Sequence, residues 1–137
     1  MAAGSCLCGK VRYEINGNIG DVVHCHCVTC RKAHGAAFSS VAAVKVDDFT
    51  VLGDEHLSQF ESSPGKIRHF CSHCGTQIYA KRKTSQHIVL RLGSLDESMD
   101  DSMEGSLQLK EKNHIWVSQK ASWYSIDSHL PQCLEFE

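Results

Sequence analysis

Between Lys10 and Ile15 the chain alternates strictly: Val11, Tyr13 and Ile15 are apolar, while Lys10, Arg12 and Glu14 are charged. A period of two sends successive side chains to opposite faces of an extended backbone. This stretch therefore predicts a strand with one buried face, closed by the turn residues Asn16-Gly17-Asn18. Residues 21–27 also read as extended, which would put Cys25 and Cys27 on one face, and the same alternation would bring Cys6 and Cys8 together. Residues 38–46 form a mostly apolar run of strand length, followed by residues 49–52 and the turn residue Gly53. Residues 57–60 and 67–71 flank Ser62-Ser63-Pro64-Gly65, the pattern of two paired strands around a loop. Residues 77–80, 87–92 and 114–117 complete the strand content. Helix is scarce: residues 28–34 predict two turns stopped by Gly35, and a second short helix is expected to start at Ser94. The acidic run from Asp96 to Glu104 reads as a solvated surface. The predicted fold is mainly β, built of antiparallel sheets.

The cysteines change this picture most. Seven of the eight fall into three clusters: Cys6 and Cys8; Cys25, Cys27 and Cys30; Cys71 and Cys74. Spacings of one or two residues make poor disulfides but converge thiolates on a metal. Two pairs supply four ligands, as a closed structural zinc requires. A triplet supplies three, as in a catalytic zinc with one exchangeable position. If Cys6, Cys8, Cys71 and Cys74 share an ion, it ties together segments more than sixty residues apart. By analogy with disulfide loop closure, that clip contributes about 4 kcal/mol besides the metal–ligand energy. Gly9 and Gly75 follow ligands and permit turns that aim backbone N–H groups at the sulfurs.

Three thiolates at Cys25, Cys27 and Cys30 weaken the Lewis acidity of a metal relative to three imidazoles. They suit a soft fourth ligand, so the expected substrate class is a thiol. His34 is a candidate fourth ligand or an edge residue. Strand alternation points His24 and His26 away from the sulfurs, and His73 reads as solvent-facing. Cys133 has no partner in sequence and reads as a partly buried thiol.

Composition bounds the rest. With 137 residues and two prolines, residues 1–137 are expected to form one domain. A formal charge of −2 gives no bulk electrostatic reason to expect nucleic acid. No run reaches the ~18 apolar residues of a membrane span. Met1-Ala2-Ala3-Gly4-Ser5 does not read as a secretory leader, and unpaired clustered thiols predict a reducing, cytoplasmic setting.

Three motifs in order carry a resemblance: Gly4-Ser5-Cys6-Leu7-Cys8-Gly9-Lys10-Val11-Arg12-Tyr13, then Cys25-His26-Cys27-Val28-Thr29-Cys30-Arg31-Lys32 with Gly35 and Phe38, then Arg68-His69-Phe70-Cys71-Ser72-His73-Cys74-Gly75-Thr76. They resemble the family of glutathione-dependent formaldehyde-activating enzymes, which also includes centromere protein V. Gly93-Ser94-Leu95-Asp96 and His114-Ile115-Trp116-Val117 followed by Trp123 resemble its later motifs, with Ala121-Ser122 where the family pattern has proline before the tryptophan. The resemblance implies an Mss4-like β-tent around a structural zinc held by Cys6, Cys8, Cys71 and Cys74. It implies a second, catalytic zinc on Cys25, Cys27 and Cys30. The implied activity is that of a zinc-dependent carbon–sulfur lyase forming S-hydroxymethylglutathione from formaldehyde and glutathione.

Glutathione has two carboxylates, and Arg31 and Lys32, directly after the third ligand, are the nearest candidate partners, with Arg68 another. His34, His69 and His114 are candidate proton donors, and Phe38, Trp116 and Trp123 candidate pocket walls. Two alternatives stay open: a carrier of the thiol or its adduct, and a non-catalytic zinc module binding protein or chromatin.

Overall fold

The computed structural model describes residues 1–97 and 108–136. Ten strands and one α-helix follow one another: β1 (Ala2–Ser5), β2 (Arg12–Ile15), β3 (Val22–Cys25), α1 (Val28–His34), β4 (Ser39–Lys45), β5 (Phe49–Leu52), β6 (Leu57–Ser63), β7 (Lys66–Cys71), β8 (Gln77–Arg82), β9 (His87–Arg91) and β10 (Glu111–Ile115). They form a three-stranded sheet in the order β1-β2-β5 and a seven-stranded sheet in the order β10-β3-β4-β9-β8-β7-β6. The fold is mainly β, as the alternating patterns predict. One pairing departs from the antiparallel expectation: β10 runs parallel to β3. A hairpin cannot make a parallel pair, but these two strands are far apart in sequence and are joined by a long connection.

The core lies between the two sheets. Tyr13 and Ile15 on β2, with Val11 just before it, point inward and meet Val44, Ile78, Ile88 and Leu90 from the large sheet. Arg12 and Glu14 are exposed between them, which is the period-two pattern realised. Burying each of these large side chains contributes about 1.5–3 kcal/mol. Cys6 and Cys71 belong to the same cluster, so the first metal candidate is built into the core rather than attached to its surface. Gly4 is required for this closeness: a Cβ there would come within 2.3 Å of the Tyr13 hydroxyl, which is itself 2.7 Å from Ser94 Oγ.

Helix α1 has the predicted bounds. Gly35, with φ of 60°, turns its N–H back to the Arg31 carbonyl and stops the helix in the left-handed conformation that glycine adopts without strain. The helix expected at Ser94 is instead a single 3₁₀ turn at Leu92–Ser94, after which Leu95 bridges to Gly4. Most of the acidic run lies outside the described residues. Among the described residues no helix is long and apolar enough to cross a membrane.

Candidate metal centres and the pocket between them

The first centre sits where two turns meet. Cys6 and Cys8 follow β1, and Cys71 ends β7 with Cys74 in the turn before β8. The approach of Cys6 to Cys8 is therefore made by a turn, not by strand alternation. Gly9 and Gly75 have φ near 80°, where a side chain would be strained. Their N–H groups close the turns on the Cys6 carbonyl at 3.2 Å and the Cys71 carbonyl at 2.8 Å. The Val11 N–H points at Cys6 Sγ from 3.3 Å.

All four sulfurs lie within 4.8 Å of one another, with Cys6 to Cys8 at 3.5 Å and Cys8 to Cys71 at 3.8 Å. A tetrahedral thiolate site with metal–sulfur bonds near 2.3 Å separates its sulfurs by about 3.8 Å. A disulfide would need about 2.05 Å, and all eight cysteines are unbridged. The four side chains thus fit a closed metal site. Thr76 supports it from one side: its hydroxyl is 3.2 Å from Cys74 Sγ, and hydrogen bonds from that hydroxyl and the Thr76 N–H pull the Cys74 thiol down to about 5.

The second centre joins the end of a strand to the start of a helix. Cys25 closes β3, where it pairs with Ser39 of β4. Cys27 has left the strand and caps α1: its sulfur accepts the Cys30 N–H at 3.3 Å. The sequence places Cys25 and Cys27 on one strand face, but Cys27 lies beyond the strand, and its cap folds Cys30 back toward it within the first turn. The three sulfurs lie within 4.8 Å of one another, and among the described residues no further histidine, cysteine or carboxylate joins this group. The set therefore fits a metal held by three thiolates.

Electrostatics distinguish the triplet further. Cys30 is held far below an ordinary thiol by hydrogen bonds from Cys25 and Cys27, with Arg68 contributing. Arg68, on β7 and buried, donates from Nη2 to Cys30 Sγ at 3.6 Å and from Nε to Ser62 Oγ at 2.9 Å. A guanidinium directed at one of three clustered sulfurs offsets the excess negative charge they would carry around a divalent ion.

The other sequence candidates disperse. His34 lies at the end of α1 and lines a pocket of about 680 Å³. Its Nε2 is buried without a partner, and burial, with Arg91 and Arg68 nearby, lowers it to about 4. Arg31 is tied back, donating from Nη1 to the Gln119 carbonyl at 2.9 Å. Lys32 is exposed and borders an apolar groove with Val28, Phe60 and Phe70. His69 stacks on Tyr79 with ring centres 4.2 Å apart. His114 bonds to His26 at 2.8 Å and to Ser128 at 3.0 Å, in an aromatic layer with His24 and Phe38. Trp116 packs against the second centre together with Cys133, whereas Trp123 is largely exposed. His73 is exposed, as read from sequence.

Arg91 is the residue that the sequence reading does not single out. It is buried at the end of β9 and lines the 680 Å³ pocket with His34, Ser39 and Gln77. Its signal was faint, a single charge closing the run Ile88-Val89-Leu90. Alternation with Ile88 and Leu90 puts Arg91 on the opposite face, with His87 and Val89, where a charge reads as exposed.

A family described as glutathione-dependent formaldehyde-activating enzyme matches residues 1–119. A Halomonas elongata protein named "Putative glutathione-dependent formaldehyde-activating enzyme" is 29% identical over 136 residues, covering 93% of this chain and 82% of its own length. An Aspergillus flavus protein of the same name is 32% identical over 79 residues, covering 56% of this chain and 41% of its own. A crystal structure of a Rhodobacter sphaeroides protein shares the fold, with a TM-score of 0.57 and 20% identity over 75% of this chain and 91% of its own.

Proposed function

From a chain that belongs to the glutathione-dependent formaldehyde-activating enzyme family, we propose a zinc-dependent carbon–sulfur lyase that forms S-hydroxymethylglutathione from formaldehyde and glutathione. In this reading Cys6, Cys8, Cys71 and Cys74 hold a structural zinc, and Cys25, Cys27 and Cys30 hold the catalytic one. A zinc ion held by these three thiolates would supply a soft Lewis acid that favours the deprotonated form of a thiol near neutral pH.

The remaining work falls to the chain itself. Arg68, donating to Cys30, limits the negative charge that gathers at the centre. His34 presents an unpartnered Nε2 to the pocket beside it. Because burial lowers it to about 4, it is neutral at pH 7. A neutral imidazole acts as a fixed hydrogen-bond donor to the oxygen that becomes negative when sulfur attacks the carbonyl. Ser39, paired with Cys25 across the sheet, adds a buried hydroxyl on the same wall. Holding sulfur and carbonyl together removes the entropy cost of their encounter. Arg31 and Lys32 stand on α1 as candidate contacts for glutathione carboxylates. Of the two, Lys32 is the more exposed, and Arg31 would have to leave Gln119.

The observation that carries this reading is the three-sulfur group without a fourth ligand among the described residues. A closed binding module is expected to complete its coordination with a fourth protein ligand. The test is exchange NMR on formaldehyde and glutathione at equilibrium. Added zinc-loaded protein should speed interconversion with the adduct, and Cys30→Ser should abolish the acceleration while the fold persists. An unchanged exchange rate, with three-cysteine metal verified and glutathione bound, would leave a carrier. With no glutathione bound at all, a binding module is favoured.

A further inference from the structure

Eight buried side-chain polar atoms lack a hydrogen-bond partner among the described residues. Five of them, His34 Nε2, Ser39 Oγ, Gln77 Oε1 and both Nε and Nη2 of Arg91, belong to residues lining one pocket. Buried polar groups are normally satisfied, so such a convergence marks a place where a ligand or ordered water completes the bonding. The pocket runs from Cys6 and Leu7 at the first centre to His34 and Ser39 beside the second. At about 680 Å³ it is of the size that takes a small peptide.

Its charges are arranged unequally. Arg91 is 4% exposed, and none of the ion pairs among the described residues involves it. A guanidinium stays protonated when buried and so requires an anion. The nearby thiolates answer only part of that need: three of them around a divalent ion leave a net charge of about −1, which Arg68 already faces at Cys30. Arg91 is left over for a charge from outside. At the rim of the same pocket stands the exposed side chain of Asp96, its backbone fixed by an N–H bond to the Ala3 carbonyl at 2.9 Å. A buried cation with a carboxylate at the rim matches a zwitterion that enters carboxylate first and keeps its ammonium near solvent.

We propose that this pocket recognises the α-amino-carboxylate end of the thiol substrate, with Arg91 taking the carboxylate and Asp96 the ammonium. In glutathione that is the γ-glutamyl end, since the glycyl end bears a carboxylate alone. The inference rests on the reading of the three-cysteine centre as a thiol site. It adds the orientation of the bound peptide and moves its main anchor from the surface of α1 to the interior at Arg91.

The test uses the full chain with cobalt in the three-cysteine site, whose thiolate-to-metal absorption reports sulfur ligation. Three thiols are titrated: glutathione, γ-glutamylcysteine, which lacks the glycyl end, and N-acetylcysteinylglycine, which lacks the γ-glutamyl end. γ-Glutamylcysteine should bind nearly as tightly as glutathione, and N-acetylcysteinylglycine should bind roughly tenfold or more weakly, as for a lost charge-assisted hydrogen bond. Arg91→Gln should weaken the first two by a similar factor and leave the third unchanged. Asp96→Asn should act in the same direction more weakly. Should Arg91→Gln fail to fold, Arg91→Lys and the wild-type comparison decide the matter.

Equal affinity for γ-glutamylcysteine and N-acetylcysteinylglycine overturns this inference and spares the thiol reading. So does equal weakening of all three by Arg91→Gln, which would mark a structural residue. A band that no thiol perturbs overturns the thiol reading, and this inference with it.

Discussion

Replacing Arg68 with Met separates two effects of one buried guanidinium. Arg68 is 4% exposed and has no carboxylate partner among the described residues; its bonds go to Ser62 Oγ and Cys30 Sγ, and Nη1 has none. Desolvating that charge is costly, and a methionine of similar length would fill the space without the cost. A hydrogen bond from a charged donor to a buried thiolate contributes about 1.5–3 kcal/mol. At ~1.4 kcal/mol per decade, losing it should weaken the metal at Cys25, Cys27 and Cys30 by roughly ten- to a hundredfold. The variant should therefore hold its second metal poorly while folding as stably as the parent, or more so, when only the first centre is loaded. Competition against a chromophoric chelator gives the two zinc affinities separately, and urea melts of the singly loaded proteins give the stability. Second-site affinity within twofold of the parent, or equal loss at both sites, would refute the electrostatic role assigned to Arg68.

Cys71→Ser removes a fully buried ligand of the first centre and should abolish cooperative thermal unfolding; a variant with the parental melt would show that this centre does not support the fold. Mild chelation should remove one metal per chain, that of the triplet, without loss of far-ultraviolet circular dichroism, and simultaneous release of both with unfolding would contradict the division into two centres. Thr76→Val deletes the hydroxyl that lowers Cys74, so metal release from the first centre on acidification should begin at a higher pH, measured by zinc-dye fluorescence. His114 is lowered, first by burial and then by His24. Between its folded value and the unfolded value near 6.5, the unfolded chain binds the extra proton, so stability should fall as pH drops below about 6.5. His114→Gln should flatten that slope in urea melts at pH 8, 6.5 and 5, and identical slopes would count against it.

How much of this was legible depends on the range of the interaction. Helix α1 was readable because both its ends are local: the cap at Cys27 and the left-handed Gly35. Strand β2 was readable because one face meets the core and the other meets water. Strand β1 was not: Ala2, Ala3 and Gly4 carry little strand propensity, and they are extended because β2 pairs with them and Gly4 must admit Tyr13. Strand β10 begins at Glu111 and ends at Ile115 rather than spanning 114–117, because Trp116 turns into the left-handed region with φ of 56°. Cysteine spacing gave each local cluster, and counting two pairs as the four ligands of one closed site joined Cys6 and Cys8 to Cys71 and Cys74. It could not give Arg68 or Arg91, whose places depend on which distant strands lie beside the triplet.

That difference in range also explains why two centres with the same ligand chemistry can behave differently. At the first, the donors to the sulfurs come from within each turn: Val11 N–H reaches Cys6, Thr76 reaches Cys74, and two glycine turns close the loops; the long-range step is the meeting of the turns, where Cys8 lies 3.8 Å from Cys71. Such a site is complete once its two turns meet, and its sulfurs join the main core. At the second, the support comes from across the sheet, through Arg68 on β7 and the pocket wall carrying Arg91 on β9. Those side chains bring positive charge to a group that has three ligands. Four thiolates around a divalent ion leave a charge of about −2, which dispersed N–H donors can offset. Three leave about −1 and an open position. On the reading proposed above, a second buried cation beside that position would be surplus in the free protein and would be neutralised by an anionic ligand. On the same reading, that arrangement suits a ligand arriving from solution better than a closed structural role.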